Sequence, residues 1–456
     1  MFTLDYIDLV RDPIHKYIEI TQIEMEIINS NWFQRLRHIK QTPSVSYVYP
    51  GATHTRFEHS LGVMHVAGKW VEHLMRNAYI DGDPEMRKWI KKQVQKIRIA
   101  GMLHDIGTGP FSHSFEFYFL MELGRNDINH EKLGLKIIDE IFAPLLLSGK
   151  WDLEFDEDDI QDIKAMIEGN IIHPEHQFLY QIVANKRSID VDKIDYLLRD
   201  AYYSGAVEYG GIDADRLLLN SEIGEQEQIV FSTRSYYTYQ HFWLARAHMY
   251  RNLYLHRTSI AFDIFFGILL KAIEGKYGII NKIEADISYY RNLNDSTFIE
   301  LYRNDETIGP IIDKLEKREI PKIVFEKELS VEYQFIAGQL RKNSAEILKE
   351  LKNNLLAIGL SPEQTENVFF EVSDINLPTI IKNIWIDKEG NLLEDNPTSL
   401  LDVIKNLLVI FLRVYSLTDL SAFESGKLLT TIRVTLSSWM ERNGLTKGDG
   451  IPPLNY

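Results

Sequence analysis

The stretch Ile97-Arg98-Ile99-Ala100-Gly101-Met102-Leu103-His104-Asp105-Ile106-Gly107-Thr108-Gly109-Pro110 decides how this chain is read. Ile97, Ala100 and Leu103 recur at helical spacing, which predicts a helix. It stops at Gly107-Thr108-Gly109-Pro110, a run that no helix survives. His104-Asp105 lies inside otherwise apolar helical sequence, Ile97 to Ile106. Two adjacent buried polar side chains are costly there unless something pairs them. A divalent cation bound by neutral imidazoles and carboxylates is one good partner.

Outward from this stretch the chain stays helical. A helix is expected from Arg56 to about Met75, with Leu61, Met64, Ala67, Val71 and Leu74 on one apolar stripe. Ser112 is expected to cap the helix beyond the glycine break. A further helix starts near Ser188 and continues past Asp200, and Gly210-Gly211 breaks the chain after it. At the start, Tyr6–Val10 and Tyr17–Ile20 alternate on either side of Asp12-Pro13 and predict a hairpin. After about residue 275 the character changes. Val368–Val372 reads as a strand, and Ile384–Leu392 as a hairpin around Glu389-Gly390-Asn391. Helices are expected at Tyr333–Ala357 and Leu400–Val414. The acidic run Asp156–Asp159 reads as a solvated helix start.

Composition excludes several classes. The chain has 456 residues, 45% hydrophobic and 25% charged, so whole-chain disorder is out. Lysine and arginine total 50 against 66 acids, a net charge of −16. Such a chain is a poor candidate for wrapping duplex DNA through its overall field, though local basic pockets can hold small phosphates. Cysteine is absent, which removes disulfides, thiolate catalysis and Cys-ligated zinc together. Any metal must use His, Asp and Glu. Met1–Arg11 lacks a secretory pattern, and no apolar run approaches the ~20 residues that span a bilayer. Leu407–Leu412 reads as a buried helix. A cytoplasmic chain with no membrane partner is expected, in which the Asn294-Asp295-Ser296 sequon is chance. There is no P-loop, and Gly107-Thr108-Gly109 lacks the third glycine and the strand of a dinucleotide loop.

Chemistry concentrates in the 14 histidines and one run of aspartates. His54, His59 and His65 precede the Arg56 helix or sit on it. His113 and His130 follow the glycine break. In Asp190-Val191-Asp192-Lys193-Ile194-Asp195-Tyr196, Asp192 begins a series with Tyr196 and Asp200 at i, i+4 and i+8, on one helix face. Asp192 would ligate a metal, with Tyr196 and Asp200 facing a ligand one or two turns on. The alternative is an exposed charged helix with Asp195–Arg199 as an i, i+4 ion pair.

The order His59, His104-Asp105, Asp192 is the H…HD…D signature of the HD-domain phosphohydrolases. Asp12-Pro13-Ile14-His15, Phe33-Gln34-Arg35-Leu36-Arg37-His38-Ile39-Lys40-Gln41, Pro50–Val63 and Asp190–Tyr196 resemble one branch of that family. It holds bacterial deoxynucleoside triphosphate triphosphohydrolases and the vertebrate dNTPase that carries a sterile-alpha-motif domain. The resemblance spans about residues 5 to 265. It implies a mainly α fold: an HD-domain helical core with an N-terminal β-hairpin and a smaller α+β C-terminal region, divided as residues 1–270 and 271–456.

The resemblance also implies roles. His59, His104, Asp105 and Asp192 would ligate a divalent metal ion (Mn, Fe, Mg, Zn or Ni). Arg56 and Lys193 would contact the triphosphate. His130 would be the general acid or water-positioning residue, with His113 a second pocket histidine and Glu116 a carboxylate orienting one of them. Gln41, Tyr196 and Asp200 would read the sugar 3′-hydroxyl. Arg251 and His256 lie in Met249–Arg257, which resembles the helix closing the nucleotide pocket, where Tyr250 and Tyr254 could equally be core. Arg35 and Arg37 match a basic pair that binds a nucleotide effector, although Asn29 stands where the vertebrate relative has aspartate. Alternatively, they hold their helix to its neighbours. Thr108 stands in the substrate pocket where the family usually has histidine, which puts rate or substrate choice in doubt. The implied function is hydrolysis of dNTPs to deoxynucleoside and triphosphate by a homo-oligomer, dimer or tetramer. The alternatives are HD chemistry on another nucleotide phosphoester, or a non-catalytic nucleotide or nucleic-acid binding module.

Overall fold

The computed structural model describes residues 4–78, 84–148, 155–186, 188–330, 333–374, 385–387, 409–418 and 421–445. It opens with the antiparallel hairpin of β1 (Tyr6–Asp12) and β2 (Lys16–Thr21), closed by the pairing of Asp12 with Lys16. Asp12 Oδ1 accepts the backbone N–H groups of Ile14 and His15, both at 2.8 Å. Lys16, at φ +67°, takes the left-handed conformation that so tight a turn requires. Ile18 and Ile20 face inward, while Ile7, Leu9 and Tyr17 remain exposed. Thr21 and Glu24 then form a capping box that starts α1 (Gln22–Ile28).

Two long helices carry the first half of the core. The predicted stripe of α2 (Arg56–Ala78) is fully buried. It packs along α3 (Pro84–Leu103), whose Gly101 lies against Ala67 and Val63. The expected helix through Ile106 ends earlier, at Leu103. His104 and Asp105 occupy the turn that follows, held by Ile106 N–H to Leu103 O at 3.1 Å and Thr108 N–H to Asp105 O at 3.0 Å. Ser112 does not cap the next helix: at φ +52° its hydroxyl instead donates to Lys40 O at 2.6 Å.

Beyond it run α4 (His130–Ser148) and α5 (Glu157–Glu168). Asp156 caps α5 as the acidic run predicts, but Asp159 is not solvated; it is buried against Lys92 at 2.5 Å. The helix expected from near Ser188 is α6 (Val191–Ser204), capped by Asp190 and ending on Gly205 at φ +80°. β3 (Ser221–Ile223) and β4 (Ile229–Ser232) precede α7 (Tyr236–Met249) and the buried α8 (Arg257–Tyr277). Asn294 of the sequon is a buried helix cap, and the Asp295 carboxylate accepts from the N–H groups of Lys40 and Phe111 at 2.9 and 2.7 Å. One apolar cluster runs through all of this, from Leu4 to Leu315.

A second cluster, Phe325 to Leu445, is built on β5 (Lys322–Ser330), α9 (Ser344–Ala357), β6 (Val368–Asp374), β8 (Val409–Ser416) and α10 (Ala422–Arg442). Strand β7 (Trp385–Ile386) pairs in parallel with β4, and residues 388–392 of the expected hairpin, with its Glu389-Gly390-Asn391 turn, lie outside the described residues. The helix expected over Leu400–Val414 is corrected. Residues 400–408 are outside the described set, and from Val409 the chain is the central strand between β5 and β6. A strand buried on both faces has no alternation, so a short apolar run there reads equally as a buried helix. Arg413 joins the two clusters by donating to Leu255 O at 2.6 Å and to Glu326 at 2.6 Å.

Among the described residues no single helix is long and apolar enough to cross a membrane. The segments Thr233–Tyr254 and Arg257–Tyr277 pass such a test only as a pair bent by 61°.

Candidate active site

Helix α2, the turn after α3, and α6 converge on one point. Ligand atoms of His59, His104 and Asp192 all lie within 4.8 Å of one another. His59 Nε2 is 3.1 Å and His104 Nε2 3.5 Å from the same Asp192 oxygen. Asp105 Oδ2 stands 3.2 Å from His104 Nε2 and 3.7 Å from His59 Nε2. The outer ring nitrogens are fixed: His59 Nδ1 donates to Asp195 at 2.9 Å and His104 Nδ1 to Gly101 O at 2.8 Å. Both Nε2 atoms therefore face inward, and that of His104 is buried without a hydrogen bond.

The electrostatics of the four side chains are interlocked. Burial disfavours the cationic form of both histidines, but the carboxylates outweigh it. His59 is raised by Asp192 and Asp195, and His104 is held well above its ordinary value by Asp105 and Asp192. Burial likewise opposes ionisation of Asp105 and Asp192. Arg56 and His104 nevertheless hold Asp105 well below the carboxylate range, and His104 and His59 hold Asp192 below it. Two imidazole nitrogens and the Asp192 carboxylate converge, with the outer nitrogens anchored and the Arg56-bound Asp105 carboxylate alongside, a mixed donor set that fits a divalent metal ion.

Beside this centre a pocket is lined by Thr108, His113, Glu116, His130 and Tyr290. His130 Nδ1 donates to Glu116. His113 stacks on Phe117, and its Nε2 accepts from Arg56 at 3.5 Å. Burial, aided by Arg56 and His130, pushes His113 down to about 4. Burial also works against the His130 cation, yet the Glu116 hydrogen bond and Asp105 raise it. The two neighbouring imidazoles are thus pushed in opposite directions, a separation that suits acid–base chemistry.

The other expected residues divide into those near this centre and those away from it. Arg56 is tied to Asp105 through Nη1 and to Ser112 Oγ through Nε at 3.2 Å. Thr108 is buried, its hydroxyl 3.4 Å from Asp105 Oδ1. Lys193 pairs with Asp190 and donates to Asn185 O at 3.1 Å. Along α6, the Tyr196 hydroxyl accepts from Arg246 at 3.1 Å, and Asp200 accepts from His54 Nε2 at 2.6 Å and the Tyr254 hydroxyl at 2.5 Å. Gln41 is buried with its Oε1 unpartnered.

Arg251 is not brought to the cluster, since it is exposed and pairs with Glu328 of β5 at 2.9 Å. His256 instead caps α8, accepting from Thr258 N–H at 3.2 Å. Arg35 is buried over the Tyr290 ring at 4.4 Å and donates to Leu293 O at 2.8 Å. Arg37 lies on the surface over Phe57 at 3.5 Å. Sequence reasoning missed Asp195 as a partner of His59, and His54, Tyr254 and Arg246 as partners of Asp200 and Tyr196. The spacing of Tyr250 and Tyr254 gives no signal, because a π-helical turn over Tyr250–Tyr254 resets the register.

Residues 56–200, which contain all four candidate ligands, match the HD domain family model. A protein of Acanthamoeba polyphaga mimivirus named for its HD domain is 33% identical over 319 residues, covering 68% of this chain and 67% of that protein. The chain belongs to the HD-domain family. Other relatives of this HD-domain protein carry the name deoxynucleoside triphosphate triphosphohydrolase SAMHD1. The homolog of Dictyostelium discoideum is 34% identical over 330 residues, 72% of this chain and 60% of the relative. The protein of Gallus gallus is 31% identical over 391 residues, 75% of this chain and 61% of the relative. The chain spans about three fifths of the length of these two curated relatives.

Proposed function

We propose that this HD-domain protein is a metal-dependent hydrolase that cleaves dNTPs to deoxynucleoside and triphosphate. One observation carries the reading: donor atoms of His59, His104 and Asp192 converge, with Asp105 alongside the two histidines, next to an imidazole pair driven in opposite directions, His113 and the Glu116-bound His130. The triphosphohydrolase names of the relatives support the same substrate class.

His59, His104, Asp105 and Asp192 would hold the metal. A bound divalent ion supplies Lewis-acid polarisation of a phosphoryl oxygen. The chain's own residues do the rest. Arg56, pinned by Asp105 and beside His113, brings a fixed positive charge to the phosphate side. His130, oriented through Nδ1 by Glu116, presents Nε2 as a proton donor for the leaving oxygen. His113 stays neutral and holds its proton on Nδ1 while Nε2 accepts from Arg56. The unpaired Gln41 Oε1, and the Asp200 carboxylate shared by His54 and Tyr254, suit recognition of a sugar hydroxyl.

The test is a chromatographic screen of all dNTPs with several divalent metals. Intact triphosphate product is expected, with dGTP preferred over GTP by ~10²-fold, because a closely packed sugar edge buries the extra 2′-hydroxyl of GTP without a partner. Orthophosphate or pyrophosphate as the product, or no turnover with any metal, overturns the proposal. Equal turnover of dGTP and GTP contradicts a closely packed sugar edge, and unchanged turnover of a 3′-deoxy dNTP analogue removes Gln41, Tyr196 and Asp200 from the 3′-hydroxyl.

A further inference from the structure

The carboxylate of Asp195 lies outside the four candidate ligands, yet every lone pair it has is occupied. Oδ2 accepts from His59 Nδ1 at 2.9 Å and from Arg199 Nε at 2.8 Å. Oδ1 accepts from His15 Nε2 at 2.6 Å and from Arg199 Nη2 at 3.0 Å. A carboxylate offers about four acceptor sites, so this one has no freedom to turn. Arg199 is held in its own right, since its Nη1 donates to Asp12 Oδ2 at 2.8 Å. The side chains of His59, Asp195 and Arg199 are 0% exposed.

Two of these partners, Asp12 and His15, flank the hairpin turn. Asp12 fixes that turn with its other oxygen, which accepts from the N–H groups of Ile14 and His15. The start of the chain is thereby bonded to α6 directly behind a candidate ligand. Helix α2 makes room for the arrangement. Gly62 lies one turn after His59 on the same face, and a Cβ there would fall 2.0 Å from Asp195 Oδ1 and 2.4 Å from Arg199 Nη2. An ordinary structural ion pair between Asp195 and Arg199 needs neither the contact to His59 nor a bare glycine in the helix that carries it.

We propose that Asp195 is the positioning carboxylate of His59, and that the hairpin turn, through Asp12 and His15, is the brace that holds it. An anionic acceptor on Nδ1 fixes the tautomer with Nε2 bare, sets the plane of the ring and raises its basicity toward a cation. The hairpin is then part of the metal centre rather than an appendage to the core. This rests on the metal-binding reading of His59, His104, Asp105 and Asp192, but not on the identity of the substrate.

The experiment uses the full chain, stripped with chelator and titrated with Co(II) against a competing chelator, with visible absorption of the bound ion recorded. Asp195→Asn keeps the shape and removes the charge. Affinity is expected to fall 10–100-fold, as for loss of such outer partners in general, with a changed absorption band. His15→Gln removes one strut and leaves Asp195 on His59, so a smaller loss in the same direction is expected, and it carries the test if Asp195→Asn does not fold. Leu351→Ala on α9, a destabilising change in the second apolar cluster, should leave affinity and spectrum unaltered, which separates positioning from general loosening. Wild-type affinity and spectrum in both Asp195→Asn and His15→Gln overturn the proposal. A wild-type chain that binds no Co(II) overturns it together with the metal reading. Normal Co(II) binding by a chain inactive on every dNTP sinks only the substrate assignment, and the comparison of variants still decides the role of Asp195.

Discussion

His113 and His130 have ring centroids 6.4 Å apart, and their surroundings drive them in opposite directions. His130 is raised above its ordinary value of 6.5, against burial, by the Glu116 hydrogen bond and Asp105. Its cationic form is therefore kept to higher pH than that of an ordinary imidazole and is lost as pH rises through the raised value. If that cation protonates the leaving oxygen, kcat has an alkaline limb at that value. Glu116→Gln is expected to move the limb to lower pH, and His130→Ala to cost about 10²–10⁴-fold in kcat. A limb that stays in place in Glu116→Gln takes His130 out of the acid role. Thr108 makes a second prediction at this scale. The resemblance places histidine there, and a charged donor to a phosphate contributes ~1.5–3 kcal/mol against ~0.5–1.5 for a neutral hydroxyl. The difference corresponds to roughly one to two orders of magnitude in rate. Turnover of dNTPs by Thr108→His is expected to exceed wild type with metal content unchanged; a fall or no change with every dNTP rejects this. That His104-Asp105 needs a partner is legible in the sequence, because adjacent polar side chains in an apolar stretch demand one; that His59 and Asp192 join them is what the resemblance implies. Asp195 is not legible: an Asp and an Arg four apart read as a surface pair until three other segments bury them. Arg251 and His256 stand apart from the candidate ligands, Arg251 paired with Glu328 and His256 capping α8.

Helix α3 shows how charge is buried in the frame around the site. Arg98 donates to Glu24 at 2.6 and 2.8 Å and to Glu19 O at 2.6 Å, and Gln95 also reaches Glu24 at 2.7 Å. Both side chains of the ion pair are within 3% of full burial. Burial acts against the Arg98 cation, but Glu24 outweighs it and raises the pKa. Removing one partner leaves the other charge uncompensated, at a cost of about 3–5 kcal/mol. Arg98→Met is therefore expected to lower the unfolding free energy from urea denaturation by that amount, and Arg98→Met combined with Glu24→Leu to regain most of it. A single substitution costing under ~1 kcal/mol contradicts the account. Elements were legible where one face meets water. The stripe from Leu61 to Leu74 has helical period because the other side of α2 is polar. Val409–Ser416 offers no period, being the middle strand of its sheet, so its length and partners are set by β5 and β6, which lie far away in sequence.

At the scale of the whole molecule, the four candidate ligands come from segments around residues 59, 104 and 192, so a cation bound to them cross-links the core. Binding to the folded chain alone stabilises it by ~2.7 kcal/mol at 100-fold excess over Kd. The increment must depend on pH. His59 and His104 have folded values above 6.5, against burial, because of the facing carboxylates. A raised value means that the protons stabilise the chelator-stripped fold fully below pH 6.5, and that this contribution is lost as pH rises through the folded values. Asp105 and Asp192 are held below 3.8, so they remain ionised throughout this interval and add no slope. A metal requires both imidazoles neutral and competes with those same protons. Between pH 6 and pH 8 the stripped protein should therefore lose stability while the metal's contribution grows. The rise in Tm on adding Mn(II) or Co(II) is expected to be larger at pH 8 than at pH 6, and Asp192→Ala should show neither the rise nor its pH dependence. Differential scanning calorimetry of chelator-treated protein at both pH values decides it. An equal increment at the two pH values, or an undiminished one in Asp192→Ala, means that the cation binds somewhere other than this centre.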